Sequence, residues 1–243
     1  MVLVKARLFA VIVISATALF AVTGCTDLDA EAGPVPTTTA VTTPSASPTE
    51  PPAIDPIDTV VSVVLLPETF DLRDASGAVV ASHSYLGDVD EAIASLDTVF
   101  GVPSVDTPYD GSNHTPPGIR HTWGAVELDE RHYDEQRRVE NGYGLVWPHF
   151  AVSFDAPAYD GVALTSATGA VVGMPWPEYA TVGVPNPGWS CVGPLVDLAV
   201  VTESEAVGPQ TYGVALGPWW NVEPDTEVVT WIGAPYVEAD GCA

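Results

Sequence analysis

The chain has 243 residues, of which 32 are acidic and 7 basic, so its formal charge is −25 at pH 7. Hydrophobic residues make up 47% of the total, enough for a globular domain with a core. The strong negative charge argues against nucleic acid as a partner and against direct docking on anionic lipid headgroups.

The first 24 residues predict an export signal. Lys5 and Arg7 precede an uncharged apolar run at 8–22, which is the charge pattern of a secretory signal peptide. At about 1.5 Å per helical residue, the run is shorter than the roughly 20 residues that cross a bilayer. A permanent transmembrane helix is therefore the weaker interpretation.

The sequence "VTGC" at 22–25 ends this segment and resembles the lipobox of bacterial surface lipoproteins. That resemblance implies cleavage before Cys25 and attachment of diacylglycerol to the Cys25 sulfur. The protein would then be anchored on the extracellular face of the cell membrane, because two or more acyl chains hold a protein stably. In the alternative interpretation, Cys25 is an unmodified thiol beside an ordinary signal cleavage site.

Residues 25–57 predict a disordered stalk. They are rich in Thr, Pro and Ser and show no apolar periodicity, so they cannot bury enough surface to offset their ordering entropy. Residues 58–243 are predicted to form a single acidic globular domain. Without residues 1–24 the chain keeps five arginines, no lysine and 32 acidic residues, a formal charge of 5 − 32 = −27.

The globular segment opens with β-rich sequence. Residues 59–66 are nearly all β-branched or apolar, which predicts a strand covered on both faces. "DASG" at 74–77 predicts a turn, and residues 78–86 are predicted to be the hairpin partner of that first strand.

The clearest helix follows this hairpin. Asp88 is placed to cap it, with Glu91 three residues later, and Gly101 is placed to end it. Its apolar stripe is expected to face the core and consists of Val89, Ile93, Leu96 and Phe100.

Later segments predict more strands. Residues 119–128 indicate a strand pair, and residues 148–155 alternate so that Phe150, Val152 and Phe154 share one face. Further strands are predicted as a hairpin at 160–174 and as single strands at 194–202, 211–217 and 227–233. With a short second helix near 176–182, the predicted fold class is α+β on a mainly antiparallel sheet, and an all-β sandwich is the alternative.

One segment carries a second, weaker resemblance. "GMPWPEYATVGVP" at 173–185 is similar to the Gly-Met, Glu and Gly-x-Pro pattern of small two-layer α+β lipoproteins and β-lactamase-inhibitor-like modules. It departs from that pattern in its shorter spacing and in two prolines inside the presumed helix. The resemblance implies a module that binds other proteins.

Cys191 and Cys242 remain once Cys25 is lipidated. In an exported protein an even pair of cysteines predicts a disulfide. A metal site is the poorer alternative, because zinc sites need closer ligand spacing and further Cys or His residues nearby.

Catalytic motifs are missing from the sequence. It has no G-x-S-x-G, no H-E-x-x-H and, after export, no lysine for a penicillin-binding enzyme. A carboxylate pair for glycan hydrolysis stays open among Asp129, Glu130, Asp134 and Glu135. Alternatively, residues 127–140 are a solvated helix with i,i+4 pairs between Glu127 and Arg131 and between Asp134 and Arg138.

Histidines and tryptophans complete the candidates. The spacing of His114, His121 and His132 does not support a metal site, and neither a metal nor a cofactor is expected. Four tryptophans lie within two residues of Pro or Gly and could stack on sugar rings, although core packing is the commoner role of such residues. They are Trp176, Trp189, Trp219 and Trp220.

The predicted function is therefore that of a lipid-anchored, non-catalytic binding module of the cell envelope. Its partner would be a cell-wall glycan or an extracellular protein. The alternatives are a cell-wall glycan hydrolase with a carboxylate pair and a structural exported domain without a specific ligand.

Overall fold

The computed structural model describes residues 55–111, 116–133, 148–177, 188–190, 192–202, 209–217 and 227–238. These residues contain a 3₁₀ turn at Pro56–Thr59, one α-helix, α1 at Val89–Phe100, and thirteen strands. The strands are β1 Val60–Leu65, β2 Thr69–Asp74, β3 Val79–Ser84, β4 Val105–Tyr109, β5 Gly118–Trp123, β6 Val126–Arg131, β7 Phe150–Phe154, β8 Ala158–Tyr159, β9 Val162–Ser166, β10 Trp189–Ser190, β11 Gly193–Thr202, β12 Pro209–Gly217 and β13 Trp231–Val237.

Five strands form one sheet in the order β3-β2-β1-β9-β8. Its neighbours are antiparallel except for β1 and β9, which are parallel. The predicted first strand is confirmed, but its predicted partner at 78–86 is wrong. That segment forms β3, which pairs with β2, and β2 lies between it and β1. Only the second half of β1 is fully buried, since Val61 is 42% exposed.

Eight strands form the second sheet, in the order β10-β11-β12-β13-β7-β6-β5-β4, and all its neighbours are antiparallel. The strands predicted at 119–128, 148–155, 194–202 and 211–217 are confirmed. The last strand begins at Trp231, later than predicted. The hairpin predicted at 160–174 is confirmed only in its first strand, β9. Strand β9 pairs with β1 and β8, and the chain forms a turn after Ser166 instead of a second strand.

One hydrophobic core takes side chains from both sheets and from α1. It includes Leu65 and Phe70 of the five-stranded sheet and Leu128 and Phe154 of the eight-stranded sheet, all fully buried. The antiparallel α+β prediction is confirmed, with α1 as the helix of the described residues. Of the second helix predicted near 176–182, only residues 176 and 177 are described, and they are not helical.

Helix α1 begins and ends where the sequence predicts. The Asp88 carboxylate accepts hydrogen bonds from the amides of Asp90 and Glu91 at 2.9 and 3.3 Å. Gly101 ends the helix with φ of 67°. Leu96 and Phe100 are buried in the core, while Val89 and Ile93 pack against its edge.

The predicted helix at 127–140 is wrong over its first residues, because 126–131 form strand β6. Several other predictions lie outside the described residues, namely the signal and stalk before residue 55, the lipidated Cys25, the pair Cys191 and Cys242, and His114, Asp134, Glu135, Arg138, Trp219 and Trp220. Within the described part of the chain, no helix combines the length and apolar character needed to cross a membrane.

Candidate functional site

Strand β6 separates its charged side chains onto two faces. Successive side chains of a strand point in opposite directions, so Asp129 and Glu130 lie on opposite sides of the sheet. Asp129 shares its face with Glu127 and Arg131, while Leu128, fully buried, points into the core. Of the four acids among which a carboxylate pair was left open, Asp129 and Glu130 therefore do not face a common site.

The face of β6 turned away from the core gathers the polar and aromatic side chains of four strands. Directly paired residues of antiparallel strands share a face, and the register aligns Arg120 with Asp129 and Thr122 with Glu127. We call this surface the polar face, and its residues are Tyr109 of β4, Arg120 of β5, Glu127, Asp129 and Arg131 of β6, and Trp231 and Tyr236 of β13.

Three of these side chains form a hydrogen-bonded row. The Tyr109 hydroxyl donates to Oδ1 of Asp129 at 2.7 Å, and Nε of Arg131 donates to Oδ2 of the same carboxylate at 3.1 Å. Gly118 lies between Tyr109 and Arg131 in the register. A Cβ atom at Gly118 would lie 2.6 Å from the Tyr109 hydroxyl, so the missing side chain is what lets the tyrosine cross β5 to reach β6.

Arg120 covers the other end of the row. Its guanidinium carbon lies 5.0 Å from the centroid of the Tyr109 ring, within cation–π range. Its Nε is 3.8 Å from the Glu127 carboxylate, at the long limit of an ion pair. The Arg120 side chain is 53% exposed, compared with 13% for Arg131. Arg120 is therefore the cation of the polar face that solvent and ligands reach most readily.

Two aromatic rings of β13 extend the polar face. Trp231 and Tyr236 meet edge to face, with ring centroids 5.4 Å apart and planes at 82°. The Trp231 ring lies across Gly233, where a Cβ would collide with it. Both aromatic side chains are half-buried, so part of each remains accessible.

The charges of the polar face act on one another. Burial raises the pKa of Tyr236 to about 12, because the lowering by Arg131 is smaller than the combined raising by burial, Asp129 and Glu127. Burial also raises the pKa of Tyr109, and its bond to Asp129 adds to the effect. Burial raises the pKa of Glu127, which Arg120 lowers and Asp129 and Asp155 raise further. Burial lowers the pKa of Arg131, but Tyr133, Asp129 and Tyr236 raise it by more.

Two of the three histidines considered as metal ligands, His121 and His132, meet on the opposite side of the sheet. His121 Nε2 lies 3.0 Å from one Glu130 oxygen, and His132 Nε2 lies 2.8 Å from the other. They converge on a carboxylate that each holds through a hydrogen bond. Over the ranges that the structure covers, no three His, Cys, Asp or Glu side chains are grouped as a metal ion would require.

The predicted tryptophan surface is only partly described. Trp176 is half-buried and packs against the core. Trp189 lies in the short strand β10, and the structure describes its backbone only. The tryptophan of the polar face is Trp231, which the sequence interpretation did not select.

A sequence signal for the polar face does exist in "VELDER" at 126–131. Its charged residues at 127, 129 and 131 recur with the two-residue period of a strand. Glu127 and Arg131 are also four residues apart, as in a helical ion pair, so the sequence alone does not distinguish the strand from a helix. The partners on β4, β5 and β13 are distant in sequence, so only the sheet order brings them together.

No family model matches the chain, and comparisons with the curated proteins and with the solved structures give no significant match. The chemistry of the polar face must therefore be inferred from its own residues. Carboxylates there accept hydrogen bonds, guanidinium groups donate them, and aromatic rings present apolar surfaces beside them.

Proposed function

We propose that the protein is a lipid-anchored protein of the bacterial cell envelope that binds a cell-wall glycan through its polar face without reacting with it. In this proposal Cys25 carries the lipid anchor on the extracellular side of the membrane. The residues from 25 to about 54 form a stalk; the predicted end of the stalk at 57 is too late, because Pro56–Thr59 form a 3₁₀ turn and Ile57 packs against the core. The domain that follows meets the wall.

The observation that carries the proposal is the row Tyr109–Asp129–Arg131 beside the rings of Trp231 and Tyr236. A sugar ring has an apolar face of C–H groups and an edge of hydroxyl groups. Aromatic side chains stack on the apolar C–H face. Carboxylates accept hydrogen bonds from the sugar hydroxyl groups, and guanidinium groups donate hydrogen bonds to them. All three kinds of group occur on the polar face.

Charge supports a glycan over an anionic polymer. The mature chain carries 5 − 32 = −27 formal charges, so polyanions are repelled whereas a neutral polyol is not. The arginines of the polar face are also partly neutralised, since Arg131 bonds Asp129 and Arg120 lies near Glu127.

Co-sedimentation of the mature protein with insoluble wall glycan tests this proposal. We expect the protein to pellet with the glycan, and Arg120→Ala and Trp231→Ala each to weaken retention about tenfold, as loss of about 1.4 kcal/mol would. Glu91→Gln is the matched control, because it alters an exposed acid on α1. Equal retention of all variants, or no retention of the wild type, would overturn the proposal.

Ionic strength separates the two partner classes that the sequence left open. Retention on a neutral glycan should change little with added salt, because stacking and hydrogen bonds carry it. Binding to a basic extracellular protein would weaken with salt, since screening reduces the attraction of the acidic surface.

The anchor is tested separately by the intact mass of protein extracted from membranes. We expect a chain that begins at Cys25 and carries diacylglycerol, and loss of membrane attachment in Cys25→Ala. An unlipidated mass would make the protein a secreted one and remove the stalk from the proposal.

We also propose the disulfide between Cys191 and Cys242. The proposal rests on the even number of cysteines that remain in an exported chain once Cys25 is lipidated. Closing a loop of about 50 residues stabilises a fold by roughly 4 kcal/mol in the chain-entropy model. Alkylation of the unfolded, unreduced protein should modify neither cysteine, and labelling of both would exclude the bond.

A second candidate function is hydrolysis of the same glycan by Glu127 and Asp129. They are two residues apart on one face of β6, so that both carboxylates are presented to the same side of the sheet, as a pair of carboxylates for glycan hydrolysis requires. Burial raises the pKa of Glu127, as a general acid requires. Both oxygens of Asp129 are already hydrogen-bonded, to Tyr109 and Arg131, and this favours binding over catalysis.

Release of soluble fragments from the wall glycan distinguishes the two functions. Hydrolysis predicts release by the wild type and none by Glu127→Gln, which keeps the shape of the side chain. Retention without release supports the binding module. A structural domain without a ligand gives neither retention nor release.

A further inference from the structure

Strand β4 is attached to the sheet without burying an apolar side chain. It is an edge strand, and the first four of its five residues are exposed, with Val105 67% exposed. Apolar burial therefore contributes little to holding β4 against β5. Yet β4 carries Tyr109, whose hydroxyl bonds Asp129 in the polar face.

A chain of hydrogen bonds on the other side of the sheet connects β4 to its neighbours. Ser104 Oγ donates to Oδ1 of Asp106 at 2.5 Å, and the same oxygen lies 2.8 Å from Nδ1 of His121. His121 Nε2 is 3.0 Å from Glu130, whose second oxygen is 2.8 Å from His132. The chain thus crosses from β4 through β5 to β6.

His121 is the middle link and is 5% exposed, although its Asp106 partner is 55% exposed. Helix α1 fixes the start of the same chain. The Asp97 carboxylate accepts from the Ser104 amide at 2.9 Å and from Nε1 of Trp123 at 2.8 Å. Polar contacts therefore join this segment to two elements. Ser104, just before β4, bonds Asp97 of α1, and Asp106 in β4 contacts His121 of β5.

We infer that His121 is a positioning residue that holds edge strand β4, and through it Tyr109, in place for ligand binding at the polar face. The inference rests on the proposed function, because it explains how one part of that face is built. The His121 ring points to the side of the sheet opposite the polar face, toward Asp106 and Glu130.

Removal of His121 has a consequence on each side of the sheet. With His121→Leu, Asp106 loses its partner on β5. Strand β4 then keeps the backbone ladder, the Tyr109–Asp129 bond, the Arg120 contact with the Tyr109 ring and a hydrogen bond from the Thr122 hydroxyl to the Val105 carbonyl. Separation of β4 from β5 would carry Tyr109 away and leave one Asp129 oxygen without its hydrogen bond. The cost of a lost bond to a charged group is enough for about a tenfold change in an equilibrium constant.

Hydrogen–deuterium exchange of peptides covering Val105–Tyr109 measures this directly, with retention on wall glycan as the second readout. We expect His121→Leu and Asp106→Ala to exchange about tenfold faster and to bind about tenfold more weakly. Asp106→Asn should lose clearly less than Asp106→Ala, because its side-chain oxygen can still accept from His121 although the charge is gone. Val105→Thr is the control on the same strand and should change neither.

Unchanged exchange in both His121→Leu and Asp106→Ala would overturn the inference. So would equal losses in Asp106→Asn and Asp106→Ala, because the hydrogen bond would then not be the cause. Asp106 is exposed, so its variants give an answer even if His121→Leu does not fold. If the wild type does not bind glycan, the proposed function fails, while the exchange data still decide whether His121 positions β4.

Discussion

The carboxylate of Asp97 accepts a 2.8 Å hydrogen bond from the indole nitrogen of Trp123, which joins helix α1 to strand β5. Trp123 is only 1% exposed, and this bond provides its buried indole N–H with an acceptor. The same oxygen of Asp97 accepts from the Ser104 amide. This one side chain therefore connects the helix, the loop after it and the sheet.

Replacing Asp97 should destabilise the domain. Asp97→Ala leaves the Trp123 N–H buried and unpaired, which costs about 2 kcal/mol. Asp97→Asn keeps an acceptor oxygen and should lose less than half of that. Urea unfolding followed by tryptophan fluorescence measures both, and equal stability of the two variants would contradict the role of this bond.

Acid should weaken the fold through Asp106 and Glu130. Hydrogen bonds from Ser104 and His121 lower the pKa of Asp106 below 3.8. Burial raises the pKa of Glu130, but bonds from His121 and His132 bring it below its ordinary 4.5. A lowered folded pKa gives stability that is present above the unfolded pKa and lost as pH falls through the folded one.

Urea unfolding between pH 7 and pH 3 tests this sign. Asp106→Asn and Glu130→Gln should each flatten the fall in the free energy of unfolding at the acidic end. Glu127→Gln is the contrasting variant, because a raised pKa contributes in the opposite direction and its removal should steepen the fall. A steeper profile for Glu130→Gln would contradict the assignment.

Two glycines with positive φ should respond differently to alanine. Gly77 has φ of +83° and open space around it, so Gly77→Ala should cost about 1 kcal/mol for the strained backbone alone. Gly124 has φ of +56°, and a Cβ there would collide with the Tyr159 ring. Gly124→Ala should therefore cost clearly more, and equal melting temperatures for the two variants would show that Tyr159 yields freely.

Alkaline titration should show late ionisation of three of the eight tyrosines of the chain. Burial raises the pKa of Tyr85, Tyr109 and Tyr236, the last to about 12. Ultraviolet absorbance should therefore show these three ionising after the ordinary value of 10. In urea all eight should ionise together, and the same single step in the native protein would contradict the burial of these hydroxyls.

Local signals predicted much of the fold. Helix α1 was found from its cap, stripe and terminal glycine, because all three act within a few residues of each other. The sequence of strand β2, "TFDLRD", mixes apolar and charged residues, so neither a continuous apolar run nor strict alternation identifies it as a strand. Without β2, the next strand signal after β1 is β3, and the predicted hairpin therefore pairs β1 with β3 instead of with β2.

The polar face could not be predicted in the same way. Its residues come from β4, β5, β6 and β13, which are adjacent only through the order of the sheet. Arg131 illustrates the difficulty, because its spacing from Glu127 fits a helical ion pair, whereas in the strand it bonds Asp129. The tryptophans beside Pro and Gly were selected by turn signals, while Trp231 lies inside a strand.

The parallel pairing of β1 with β9 also sets the order in which the protein can fold. Ser62 lies beside Ala163, so the pair closes a loop of about one hundred residues, which is entropically costly and slow to form. Hairpins such as β2–β3 and β5–β6 need no such closure and can form as soon as their strands exist. Until β9 arrives, β1 has an open edge at Val63 and Val64, where incomplete chains can pair with one another. Substitutions that delay the pairing of β9 with β1 should therefore increase aggregation during refolding.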